Sequence, residues 1–440
     1  MGHADPRLDV QLQPYWMPFS PNKEFKQEPR MFARAEGMYF YTPDDRAVID
    51  ASAGLFCVAA GHCRPEIAEA VHRQLQTLDY TPPFLRGHSK AFELAERIAE
   101  YTPAGLNRVF FTNSGSESID TAMKIALMYH RVRGESQRQI FVSRERAYHG
   151  VNLGGVALSG LVNNRRAFGV GLPGVYHMRH TALPENKFVR GQPEKGAELA
   201  EDLARIVTTY GGENIAAVFV EPTAGSFGCL PPPKGYLNRL REICDAHGIL
   251  LVFDEVITGW GRMGANFGSQ AFGVTPDLIT MAKALTNGAQ PMGAVAAKQA
   301  IYDAITNAGP ERGVEFFHGY TYSAHPAACA AGLAMMDIFA KERLIERARD
   351  MSPYFADAIH ALQDLPIVTD IRSIGMLAAI DVAVDKAPGA RGHEIQKRLY
   401  DAGLHLKNTG DALLVAPPFI AERKHVDEIV GKLREVLARA

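Results

Sequence analysis

The sequence predicts an α/β fold: a mostly parallel central sheet with helices on both faces, plus a small α+β domain built from both chain ends. Three observations predict it. From about residue 65 onward, short apolar runs alternate with helical patterns. The runs, such as Val218-Phe219-Val220 and Leu251-Val252-Phe253, are apolar without alternation, as strands buried on both faces require. The chain has 440 residues, enough for about three domain-sized units with a large core.

Residues 1–35, with Tyr15, Trp16, Pro18, Phe19 and Pro21, predict an ordered arm without a helix. Residues 37–41 and 47–50 flank the turn Pro43-Asp44-Asp45 and predict a hairpin. Pro65 opens a helix over 65–78, and 91–101 is a second. A strand over 108–112 is followed by a helix over 116–132 and a strand over 139–143. A helix over 197–210, a strand over 216–220, a helix over 236–247 and a strand over 249–253 continue the alternation. Strands over 278–281 and 294–297 come next, then a long Ala-rich helix from His325. The last third gives a strand over 375–382, a helix over 392–401, a strand over 412–415 and a helix over 425–439. The predicted organisation is an arm and hairpin over 1–60 that join the small domain, a large domain over 61–325 and a C-terminal small domain over 326–440.

Charge excludes some functions. With 47 Lys+Arg against 49 Asp+Glu the net charge is −2, which lacks the basic surplus of a nucleic-acid-coating protein. No apolar run reaches the roughly 18 residues of a membrane span. Met1–Gln13 shows no leader pattern, and Pro6 stands where a myristoylation signal wants Ser or Thr. The five cysteines contain no Cys-x-x-Cys pair and read as reduced thiols of a cytoplasmic protein. Cys57, His62 and Cys63 match no zinc spacing, so no metal is expected.

Three predicted strands run into an ionisable side chain: Glu221, Asp254 and, after Met281-Ala282, Lys283. Ligands of open α/β sheets bind outside the carboxyl ends of the strands. Between a strand and a helix, Thr112-Asn113-Ser114-Gly115-Ser116-Glu117-Ser118 supplies small residues whose N–H groups can face a phosphate at a helix N-terminus. The same segment reads equally as a plain capped helix start. One ligand would give all these features a job. A buried Lys forms a Schiff base with an aldehyde cofactor, and an Asp keeps a pyridine nitrogen protonated.

Six segments then occur in one order: Asn113-Ser114-Gly115-Ser116-Glu117-Ser118, Tyr148-His149-Gly150, Val220-Glu221-Pro222, Asp254-Glu255-Val256 with Thr258-Gly259-Trp260-Gly261-Arg262, Ala282-Lys283-Ala284-Leu285, and His318-Gly319-Tyr320-Thr321-Tyr322-Ser323-Ala324-His325-Pro326. Together they resemble the class III (ω-) aminotransferases of the fold type I pyridoxal-phosphate enzymes, over nearly the whole chain. Tyr15-Trp16-Met17-Pro18-Phe19 and Ala53-Gly54-Leu55-Phe56-Cys57 resemble the β-alanine and ω-amino acid:pyruvate branch.

The resemblance implies pyridoxal 5'-phosphate as cofactor and a transaminase that moves an amino group from an ω-amino acid or amine to an α-keto acid, with pyruvate expected. It implies Lys283 as the Schiff-base lysine and proton carrier, and Asp254 as partner of the pyridinium nitrogen. It places Ser114, Gly115 and Ser116 at the phosphate, Tyr148 and Val256 on the two ring faces, and His149, Glu221 and Ile257 around the cofactor. Thr321 is expected to reach the phosphate of the other subunit, so a homodimer or a dimer of dimers is expected. Phe19, Phe56, Phe84 and Tyr148 form the expected substrate wall, with room for apolar amines. Two positions depart from the family: Phe56 stands where close relatives carry Trp, and Lys407 stands where they carry a carboxylate-clamping Arg. Lys lacks the bidentate fork of Arg. A decarboxylase or aminomutase on the same scaffold is the alternative. A cofactor-free binding protein is a third reading, against which Lys283 and Asp254 together speak.

Overall fold

The computed structural model describes residues 10–169 and 171–440. Its centre is a seven-stranded sheet in the order Arg108–Thr112, Gly293–Ala297, Leu278–Met281, Leu250–Asp254, Ile215–Val220, Ile140–Arg144, Val175–Met178. The last five run parallel. Gly293–Ala297 is antiparallel to both its neighbours. The sheet is therefore mostly parallel, as predicted.

The absence of alternation in the central strands has a direct cause. Val218, Val220, Leu251 and Phe253 point into one core, while Ala217, Phe219, Leu250 and Val252 point into another on the opposite face. Helix Gly115–Val132 closes the second core with Ile119, Ala122, Met123 and Ala126. Helices Tyr236–His247 and Pro326–Glu342 close the first with Leu240, Ile243, Cys329, Met335 and Met336. Both strand faces must be apolar because both meet helices.

Two four-stranded sheets flank this centre. In one, Arg34–Glu36, Tyr39–Tyr41 and Ala47–Asp50 form an antiparallel meander, and Leu404–His405 adds in parallel to its inner edge. The other is antiparallel, in the order Val368–Ile374, Leu377–Val382, Ala412–Val415, Lys407–Thr409. The small α+β unit thus draws on both ends of the chain. Among the described residues no helix is long and apolar enough to cross a membrane.

Four local expectations change. The arm, whose residues 1–9 lie outside the described residues, holds a short helix, Asn22–Gln27, in the stretch that Pro21 and Pro29 leave free. The helix predicted over 197–210 is a 3₁₀ turn, Ala197–Ala200, followed by an α-helix, Glu201–Tyr210. The strand predicted over 375–382 starts at Leu377, because Gly375 (φ 56°) makes the hairpin turn that pairs Ile374 with Leu377. A Cβ at Gly375 would lie 2.3 Å from the Arg262 carbonyl oxygen, so the turn has no room for another residue. Helix Leu344–His360 has no predicted counterpart: Pro353 sits inside it, and buried Leu344, Ala348, Phe355 and Ile359 hold it on the core.

Glu255 couples the sheet to the loop behind the cavity. It is fully buried and accepts from Thr258 Oγ1 (2.7 Å), the Gly268 N–H (2.5 Å) and the Ser269 N–H (2.7 Å). Glu255→Ala leaves these donors unpaired and is expected to cost about 3 kcal/mol or more, with Glu255→Gln intermediate. Denaturant unfolding of the purified variants measures this; a loss below about 1 kcal/mol would contradict the assignment.

Candidate active site

The three strands that end in Glu221, Asp254 and Lys283 lie side by side in the sheet. Their carboxyl ends open on one cavity of about 730 Å³. The chain order that places a carboxylate, a carboxylate and an amine at successive strand ends therefore converges in space, as the strand-end rule expects.

Asp254 is buried at the cavity floor. His149 Nδ1 donates to its Oδ2 across 2.8 Å. Its Oδ1 accepts from the Val256 N–H and from Thr280 Oγ1, each at 3.2 Å. Three donors thus fix the plane of one carboxylate. The Nε2 atom of His149 is buried without a protein partner.

Glu221 is buried one strand away. Its Oε1 accepts the Tyr148 N–H (3.0 Å) and its Oε2 the Gly225 N–H (3.1 Å), while the Arg144 guanidinium holds its backbone carbonyl (3.0 Å). Burial pushes the Glu221 carboxyl upward from its ordinary value, and the His149 side chain pulls it back. Burial also raises the Tyr148 phenol, with Asp254 and Glu221 adding to the effect.

The wall opposite is a helix N-terminus. Ser114 caps helix Gly115–Val132 by accepting the Glu117 N–H at 3.2 Å, and Glu117 Oε2 accepts the Asn113 N–H at 2.7 Å. Gly115 and Ser116 then face the cavity with the positive end of the helix dipole behind them. Small residues are obligatory here. A Cβ on Gly115 would meet both Val256 methyls at 3.0 Å, and one on Gly150 (φ 96°) would sit 2.5 Å from Ser116 Oγ. Ser116 Oγ accepts the Val151 N–H at 3.1 Å.

Lys283 leaves its strand in the left-handed region (φ 51°), which turns its side chain into the cavity. Burial pushes its ammonium pKa down, while Asp254 and Glu221 oppose the shift. Its Nζ lies 5.4 Å from the centre of the Phe56 ring. The Nζ of Lys407 lies 5.7 Å from the centre of the same ring. Burial, helped by Lys283, pushes Lys407 down to about 8. Phe56 is held by a left-handed run, with Ala53, Gly54 and Phe56 at φ 46°, 65° and 63°. Asp50 pins that run by accepting from the Ser52 N–H (2.9 Å), the Gly54 N–H (2.5 Å) and His62 Nε2 (2.8 Å).

Most predicted site residues meet here: Phe19 from the arm, Phe56, the Gly115-Ser116 turn, the Tyr148-His149 pair, the strand-end carboxylates with Val256 and Ile257, and both lysines. Three do not line this cavity. Ser114 spends its hydroxyl on the helix cap. Phe84 and Thr321 lie outside it in one exposed patch, where the Phe84 ring closes on Gly319 and Tyr80 Oη donates to the Thr321 carbonyl at 3.1 Å. Sequence reasoning missed Arg30, Phe25, Tyr400, His405 and Thr409, which also line the cavity. Only the pairing of the two chain ends brings them together, and no local pattern signals it.

These strand ends, the phosphate-sized helix N-terminus and the buried amine have known counterparts. The family described as "Aminotransferase class-III" matches residues 21–437, and the chain belongs to it. Its cofactor is pyridoxal 5'-phosphate, and its reaction is transamination. Among curated relatives, an omega-aminotransferase of Caulobacter vibrioides is 53% identical over 97% of this chain and 98% of its own. A beta-alanine–pyruvate aminotransferase of Pseudomonas aeruginosa is 48% identical over 98% of this chain and 96% of its own. Among solved structures, the omega transaminase from Pseudomonas jessenii in complex with PMP superposes with a TM-score of 0.92 at 32% identity, covering 97% and 96% of the two chains.

The residues present fit that cofactor. The Gly115 and Gly150 positions leave a cradle that side chains would fill, Asp254 offers a fixed carboxylate at the floor, and Lys283 offers a desolvated amine.

Proposed function

We propose that this enzyme moves an amino group from an ω-amino acid of the β-alanine type, or from an amine, to pyruvate. One observation carries the reading: Lys283 and Lys407 present two ammonium groups to the two reaches of one aromatic-walled cavity, one over the cofactor floor and one toward the small sheet. The names of relatives support it: an omega-aminotransferase at 53% identity, and a beta-alanine–pyruvate and an omega-amino acid–pyruvate aminotransferase at 48% and 46%.

When bound, pyridoxal phosphate supplies an electron sink for a carbanion at the nitrogen-bearing carbon. The chain does the rest. Lys283 would hold the cofactor through its amine and, once the substrate's amine has displaced it, its desolvated Nζ would accept a proton and return it. Asp254, oriented by His149 and Thr280, keeps the pyridine nitrogen protonated. Gly115, Ser116 and the helix N-terminus hold the phosphate, with Ser114 acting through the cap. Tyr148 and Val256 flank the ring, and Ile257 and Glu221 close its edges. Phe19 and Phe56 form the apolar wall, and Lys407 receives the carboxylate of the substrate.

We also propose the division into 1–60, 61–325 and 326–440, a cytoplasmic location consistent with five free cysteines, and a homodimer. For the dimer the support is apolar exposure. Leu85 is 85% exposed, Phe317 89% and Phe84 56%, all near the Thr321 loop. Burying such a patch against a second copy would bring Thr321 and Phe84 to the partner's site.

Three outcomes test this. Borohydride should fix the cofactor to the Lys283 peptide, Lys283→Ala should lose turnover, and Asp254→Asn should slow each half-reaction on the order of 10³-fold with the fold intact. Normal single-turnover rates in Asp254→Asn would remove it from the site. Pyruvate should exceed 2-oxoglutarate by at least about tenfold in kcat/KM, or about 1.4 kcal/mol, because among the described residues the further guanidinium lining the cavity, Arg30, lies out in the arm over Phe25 and not beside the aromatic wall of Lys407. Lys407→Ala should raise the KM for pyruvate and spare substrates without a carboxylate; equal use of both keto acids would overturn this. Sedimentation at assay concentration should show a dimer, and a fully active monomer would refute the shared site.

A further inference from the structure

Lys407 is fixed at its backbone and free only in its charge. Its N–H donates to Ser52 Oγ at 2.9 Å, and its strand pairs Lys407 with Leu414. Its ammonium has no carboxylate within ion-pair distance among the described residues, and it lies 5.7 Å from the centre of the Phe56 ring. Lys283, whose Nζ lies 5.4 Å from the centre of the same ring, depresses its pKa further as a like charge. From the neighbouring strand end Glu221 attracts it, yet both carboxylate oxygens of Glu221 already accept backbone N–H groups.

The other titratable groups around the cavity have partners of their own. Asp254 is bound by His149, His405 Nε2 donates to the Gly54 carbonyl at 3.1 Å, and His393 is paired with Glu24. Tyr148 stays a neutral phenol, since burial raises its pKa, and Arg30 stacks over Phe25 at 5.5 Å in the arm. The Cys57 thiol is likewise held neutral by burial. Lys407 is thus a largely buried cation without a carboxylate partner among the described residues, depressed by Lys283 and opposed only by Glu221.

An Arg at this position would stay charged throughout the working range; a Lys can give up its proton. We propose that the charge of Lys407 selects between substrate classes: protonated, it holds keto acids and amino acids by their carboxylate, and deprotonated, it becomes part of the apolar wall that admits aldehydes and amines without one. The selection needs no movement of the chain. The inference rests on the reading that Lys407 receives the substrate carboxylate. Its direction follows from the depressed value of about 8: the ammonium is present below it and lost as pH rises through it. A bound carboxylate favours the charged form, so above this value binding a carboxylate substrate must take up a proton, and its apparent affinity falls as pH rises.

The test compares two acceptors on the same enzyme. The holoenzyme in its aminated form is reacted in single turnovers with pyruvate and with propanal, from about pH 6.5 to about pH 10. Pyruvate stays an anion over this range, and every enzyme ionisation common to both reactions cancels in the ratio of their kcat/KM values. The expected ratio is level at low pH and falls about tenfold per pH unit above about pH 8 to 9. In Lys407→Arg the ratio should be independent of pH, and in Lys407→Met it should be low and independent of pH. A level ratio in the unmodified enzyme, with a low ratio in Lys407→Met, would overturn the proposal while leaving Lys407 as the carboxylate group. A Lys407→Met ratio equal to that of the unmodified enzyme would overturn the reading beneath it. A slope retained in Lys407→Arg would assign the titration to another group and overturn the proposal. The visible absorbance of each variant, unchanged in position, verifies that the cofactor floor is intact.

Discussion

Two residue pairs hold the substrate side of this enzyme together. Ile49 pairs with Leu404 and Asp50 with His405, in parallel, across some 350 positions of chain. The seam continues with the Ala51 N–H on the His405 carbonyl (2.8 Å) and the Ala416 N–H on the Ala51 carbonyl (2.6 Å). Closing so long a loop is entropically expensive, although the cost grows only slowly with length. The flanking cores of both ends repay it, with Ile49, Leu404, Leu413 and Val415 all fully buried in one cluster. The cofactor floor belongs to the large sheet alone. The wall that faces it, Phe56 on one side of the seam and Lys407 on the other, exists only because the seam closes.

Conformational strain gathers at the same places. Lys283 and Phe56, the two side chains that meet at the floor, both sit in the left-handed region, as do Ala53 and Trp260. Non-glycine residues there cost of order 1 kcal/mol or more each and persist only where the surroundings over-determine them. Around Phe56 the determination is visible. Asp50 accepts two N–H groups and His62, while His405 and Ser52 tie the run to the C-terminal strand. A relaxed loop would let Phe56 swing clear of both lysines and let water between them.

Much of this was legible in the amino-acid sequence, and what was hidden shares a cause. Glu221, Asp254 and Lys283 stood out because parallel strands covered on both faces read as uninterrupted apolar runs, so a charge at the end of one is conspicuous. That the three strands are neighbours was not legible, since strand order is set by how crossover helices pack. Helix Leu344–His360 was masked by Pro353, whose local signal is a break but whose helix is held by tertiary burial. Gly375-Met376 read as strand because its apolar content continues the run, whereas the backbone turns there to make room beside Arg262. His405, Thr409 and Arg30 carried no signal, because their part in the cavity depends on the seam between chain ends.

The electrostatics of the cavity set two demands against each other. In the roles proposed for them, Lys283 needs a low proton affinity to work as a base, and Lys407 needs a high one to hold an anion. Desolvation lowers both, and the Lys283 ammonium lowers Lys407 further. Phe56 moderates the conflict, because the negative face of an aromatic ring attracts a nearby cation without neutralising it. Glu221 adds a second moderation, since it pulls on both lysines while its own oxygens stay committed to the backbone. Lys283 has carboxylates on two strand ends and Lys407 has Glu221 alone, while both share the ring, so the two differ in environment, not in type. In the role proposed for Lys407, an arriving substrate carboxylate favours its charged form and so opposes the depression that burial and Lys283 impose on it. The group proposed to react with the substrate thereby tunes the group proposed to read it, because the charge of Lys283 acts on Lys407 inside one cavity.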